Sequence, residues 1–60
     1  MEIIVSKRSG NVLVYIPELK KRVSLDSSTF LWFDGSFCHN EIVDHIERNF
    51  KIYITNVIYL

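Results

Sequence analysis

Alanine is absent from this chain, cysteine, proline, tryptophan and methionine occur once each, and glycine occurs twice. The single cysteine, Cys38, excludes an intrachain disulfide, and it leaves no thiolate set for a structural zinc site. Long apolar runs are missing too. The apolar C-terminal stretch KIYITNVIYL covers only residues 51–60, far short of the roughly twenty residues that a membrane-spanning helix needs. At the other end, Lys7 and Arg8 interrupt MEIIVSKRSG before the apolar core of a signal peptide forms. The expectation is a soluble, cytoplasmic protein with no membrane partner.

Excess charge of either sign is also lacking. Seven Lys and Arg balance seven Asp and Glu, so the overall positive charge of a strongly basic nucleic-acid binder is not there. The distribution is uneven: residues 1–28 carry five basic against three acidic side chains, and residues 29–60 carry two against four. A bipolar surface follows. Sixty residues allow one small domain, and a domain of that size buries only about 60% of the surface its unfolded chain exposes. With neither disulfide nor metal to brace it, self-association or a partner surface is the remaining source of burial.

What is plentiful is apolar and A/T-coded. Hydrophobic residues make up 48% of the chain, and Ile, Asn, Lys, Phe, Tyr and Met fill 24 of its 60 positions. That bias points to a low-GC genome, as in many phages and some bacteria.

EIIVS and NVLVYI are rich in β-branched residues around Ser9-Gly10-Asn11, the pattern of a β-hairpin. Pro17 ends the second strand because it cannot donate to a ladder. PELKKRVSL is open to a short helix begun by Pro17 or to a loop and a strand; the alternation of Val23 and Leu25 with Arg22 and Ser24 favours the strand. Asp26-Ser27-Ser28 is a turn made by side-chain to backbone bonding. TFLWF, residues 29–33, is expected as a strand, with Phe30 and Trp32 on one face and Leu31 and Phe33 on the other. Asp34-Gly35 then makes either a tight hairpin, with SFC returning, or the loop before a helix. The helix is expected over about residues 40–49, with Asn40 as N-cap and Ile42, Val43, Ile46 and Phe50 on one stripe. KIYITNVIYL reads as a strand apolar on both faces, which implies a central place in the sheet. The fold class is therefore α+β: a small antiparallel sheet of four or five strands that starts as an N-terminal meander, one helix packed on it, and a C-terminal strand.

CHNEIVDH, residues 38–45, gathers Cys38, His39, Asp44 and His45. Zinc-protease helices carry two histidines four residues apart. Here His39 and His45 are six apart, which leaves their rings about 120° from a common face. Cys38 and His45 share a face, but two ligands do not make a zinc site. Cys38 is expected as a small buried hydrophobe beside the helix start, and Glu41, four residues before His45, as a side-chain contact for that ring. A nucleophilic role for Cys38 would also need an oxyanion donor set and a cleft, for which a chain this short has little room. No enzyme activity, metal, cofactor or small-molecule substrate is expected.

Three features point to association. An antiparallel sheet with one helix covers only one of its faces, and exposed apolar patches mark association sites; Trp32, Phe30 and Tyr53 are the candidates for such a patch. Glu41, Asp44 and Glu47 form an acidic helix face that suits a basic partner, although Asp44 and Arg48 have the spacing to neutralise one another. Lys7, Arg8, Lys20, Lys21 and Arg22, brought together on adjacent loops, would form a basic patch for nucleic acid, with Tyr15 or Trp32 to stack on a base. The leading expectation is a non-enzymatic protein-binding module, a modulator or inhibitor of a host protein or a homodimer. A small nucleic-acid-binding regulator is the alternative.

Overall fold

The structure, a computed structural model, describes all residues from 1 to 60. Strand β1 (Glu2–Arg8) turns into β2 (Asn11–Ile16) through a two-residue loop, Ser9-Gly10, and both loop residues have positive φ (48° and 82°). Two left-handed residues in succession make the hairpin turn whose twist matches that of the flanking strands. Pro17 opens a single 3-10 turn (Pro17–Leu19), Lys20 adopts a left-handed conformation, and β3 (Lys21–Asp26) returns antiparallel to β2. Both readings of PELKKRVSL hold, one after the other.

The TFLWF strand does not form. Asp26 caps a one-turn helix, α1 (Ser27–Phe30), its carboxylate accepting from the Ser28 N–H (3.2 Å) and the Ser28 hydroxyl (2.6 Å). A local cap of this kind outweighs the β-propensity of so short a segment. Only Leu31 pairs in strand fashion, as an isolated bridge to Phe37 across the tight turn at Asp34-Gly35.

Helix α2 spans His39–Phe50. Asn40 is not its cap. The Cys38 N–H donates to the Phe30 carbonyl and the Cys38 carbonyl accepts from Ile42 N–H, so the turn locks the chain into its helical course at Cys38. Lys51, left-handed at φ 54°, ends the helix. After a short link over residues 52–55, β4 (Asn56–Tyr59) pairs parallel with β1.

The sheet order is β3-β2-β1-β4, so the fold is α+β with a mixed four-stranded sheet. The expected central C-terminal strand is instead a short edge strand. α2 lies in the connection between the two edge strands and closes one face of the sheet. Ile3, Val5, Val12, Val14, Ile16 and Leu25 from the sheet meet Ile42 and Ile46 from α2, with Phe30 and Ile54 at the margins. Every strand alternates, which places these residues on the covered face and their neighbours on the other.

Candidate functional site

On the face turned away from α2 the strand registers fix a regular grid. Arg22, Tyr15, Ile4 and Ile58 are successive partners across β3, β2, β1 and β4. Two residues further along come Ser24, Leu13 and Ser6, with Leu60 beyond Ser6, its N–H donating to the Val5 carbonyl. Tyr15, Ile4 and Leu13 are half-buried, Ile58 is exposed, and Leu60 is 80% exposed. Glu2 and Asn56 close one end of this apolar band, and Arg8, Asn11 and Asp26 close the other. A shallow groove of about 580 Å³ runs through the band between Arg8, Leu13, Tyr15, Arg22 and Leu60. The Arg22 guanidinium lies 5.8 Å from the Tyr15 ring centroid, an orientation in which cation and aromatic face attract.

The expected aromatic patch does not exist as one surface. Phe30 is only 9% exposed, because α1 turns it into the core, where its ring meets the His45 ring edge-on at 5.2 Å. Trp32 is exposed at the N-terminal end of α2, and Tyr53 is exposed beyond its C-terminal end; a helix of twelve residues separates the two. An uncovered apolar face is present, as expected, but Ile4, Leu13, Tyr15, Ile58 and Leu60 make it. The alternation in β1 and β2 carried that signal: the apolar residues between the core positions mark the second face.

The acidic helix face is largely occupied. Asp44 pairs with Arg48 at 3.2 Å, and Glu47 Oε2 accepts from the Ile54 N–H, holding the link to β4 against the helix; Glu41 remains exposed. The basic residues do not converge either. Arg8 pairs with Asn11 at one end of β2 and Lys21 with Ile16 at the other, about 17 Å apart at the usual strand rise. Lys7 is engaged on the covered side, where its ammonium donates to the Gly35 carbonyl.

Taken against known proteins, the chain matches no family model, no curated protein and no solved structure.

The chemistry of CHNEIVDH resolves in the structure. Cys38 is buried, and burial first, then the negative charge of Glu41, pushes its thiol up and away from the nucleophilic thiolate. His39 Nδ1 shares a hydrogen bond with the Tyr59 hydroxyl, and His45 packs on Phe30. Each histidine is thus committed to an aromatic neighbour, and no group of three or more His, Cys, Asp or Glu side chains gathers to hold a metal. No helix is long and apolar enough to cross a membrane.

Proposed function

We propose that the chain is a non-enzymatic protein-interaction module whose recognition surface is the open sheet face. The single observation that carries this reading is the apolar band of Ile4, Leu13, Tyr15, Ile58 and Leu60 on a sheet whose other face alone is closed by the helix. A contiguous apolar surface bounded by polar residues has the anatomy of a binding interface, with a dry centre and a charged rim. Tyr15 and Arg22, stacked together, belong to the residue types that dominate interface energetics. Burying the band against a partner also supplies apolar burial that a sixty-residue chain lacks.

The raised Cys38 thiol and the engaged histidines favour a binding role over nucleophilic catalysis. The separation of the basic residues along β2 favours protein over nucleic acid. The A/T-coded composition and small size are in keeping with a cytoplasmic modulator of phage or mobile-element origin.

The test is position-specific photocrosslinking, with benzoylphenylalanine in place of Leu13 on the open face and, as control, in place of Asn49 on the exposed side of α2. The expected result is a discrete protein adduct from position 13 and none from position 49. Adducts from position 49 alone, or from neither, would remove the reading.

A further inference from the structure

The open face is charged in a pattern that matches itself. On β1 the acid Glu2 stands at one end and the base Arg8 at the other, with Ile4 and Ser6 between them. On β3 the order is reversed: Arg22 lies toward the Glu2 end and Asp26 is at the Arg8 end. From this pattern we infer that the face binds a second copy of the chain about a two-fold axis lying in the face, perpendicular to the strands and passing between Ile4 and Ser6. The inference rests on the reading of the open face as the recognition surface, and it names the occupant.

The registers dictate what that axis brings together. Rotation about it lays each strand antiparallel over its own copy, so Glu2 faces the second copy's Arg8, and Arg8 its Glu2. Tyr15 meets the copy's Leu13 and Ile58 meets its Leu60, while Ile4 lies opposite the copy's Ser6. Arg22 falls opposite the copy's Ser24, with the copy's Asp26 two residues further along the same strand. A two-fold interface repeats each contact, which doubles the charge matching. The axis parallel to the strands fails this test, since it would set β1 over β2 and Arg8 over Asn11. Self-association meets no net repulsion, because the formal charge of the chain is zero.

Neither key charge is spent elsewhere. Arg8 has no carboxylate partner within the chain, and Glu2 accepts only a neutral hydrogen bond, from Asn56 Nδ2 at 3.0 Å, which holds it in the face. The face measures about 14 by 20 Å from strand spacing and rise, below the size of a standard interface of about 800 Å² per partner. An interface of this size is of the weak, reversible kind.

Sedimentation equilibrium of the purified chain, from about micromolar to about millimolar concentration, tests this. Glu2→Arg and Arg8→Glu are each expected to weaken the dimer about tenfold or more, and the double swap E2R/R8E to restore it to within about threefold. The two positions lie about 20 Å apart along one strand, so no contact within a single chain accounts for such a rescue. Circular dichroism checks that every variant keeps its fold. A dimer indifferent to the single changes, or a double swap that stays weak, overturns the two-fold register. A wild-type chain that is monomeric throughout overturns the second copy as occupant. Crosslinking from position 13 to a different protein would then leave the face reading intact, whereas no adduct would take both down.

Discussion

The Lys7 ammonium donates to the Gly35 carbonyl at 2.6 Å, joining β1 to the turn before α2 across 28 positions of sequence. The same ammonium lies 5.4 Å from the centroid of the Phe37 ring. This contact ties the hairpin carrying Trp32 and Phe33 to the sheet, on the side away from the open face. Lys7→Met keeps the aliphatic stem and removes the donor. It is expected to cost about 0.5–1.5 kcal/mol, and to speed amide exchange at Gly35 and Ser36 more than at Ile42.

Phe30 and Trp32, expected on one surface, have opposite places, and their energetics should differ accordingly. Phe30→Ala empties a core position and is expected to cost about 3–5 kcal/mol. That is a large share of the roughly 3–9 kcal/mol available to a chain of this length. Trp32, 59% exposed, should cost about 0.5 kcal/mol or less on truncation to alanine. Urea unfolding of the two variants checks the contrast.

Lys51 ends α2 in a left-handed conformation (φ 54°) that suits glycine better than a residue with a Cβ. Lys51→Gly is expected to stabilise the fold by about 0.5–1 kcal/mol, visible as a higher urea midpoint at unchanged slope.

Asp26 and Asp34 are both held below the ordinary carboxylate value of 3.8, chiefly by the hydroxyls of Ser28 and Ser36 and then by the backbone N–H groups of those residues. A carboxylate whose folded pKa is depressed contributes stability that is present above its unfolded pKa and lost as pH falls through the folded value. Thermal stability should therefore be flat from about pH 7 to 5 and fall below about pH 4. Asp26→Asn keeps an acceptor at the cap but cannot ionise, so it should shrink the acid-side decline.

Burial of Cys38 and its raised pKa predict a thiol that reacts slowly with a disulfide reagent in the native chain and at the ordinary rate in urea. Equal rates in the two conditions would contradict the burial of Cys38 at the start of α2.

Much of the fold was legible because it is written in short-range patterns. Ser9-Gly10 marked the hairpin, the spacing of Ile42, Ile46 and Phe50 marked the buried stripe of α2, and Cys38 packed as the small hydrophobe that its surroundings suggested. TFLWF was misread because the deciding residue, Asp26, lies outside it: a carboxylate that captures Ser28 sets a helical turn, and Phe30 then goes inward. The C-terminal strand was misplaced because apolar residues on both faces are equally consistent with a central strand and with an edge strand that has one side left open. The open face itself was foreseeable as a consequence of one helix on one sheet. Its residues were legible only in part: alternation in β1 and β2 marks Ile4, Leu13 and Tyr15, whereas Ile58 joins them only through the long-range register of β1 with β4.

Association of the exposed side of the sheet with a second copy of the chain is interrogated most directly by methyl NMR across a dilution series of the purified protein. The account predicts concentration-dependent shifts at the methyls of Ile4, Leu13, Ile58 and Leu60, with those of Ile42 and Ile46 unmoved. Spectra that stay constant to millimolar concentration, or shifts gathered around Trp32 and Phe33 instead, would contradict it.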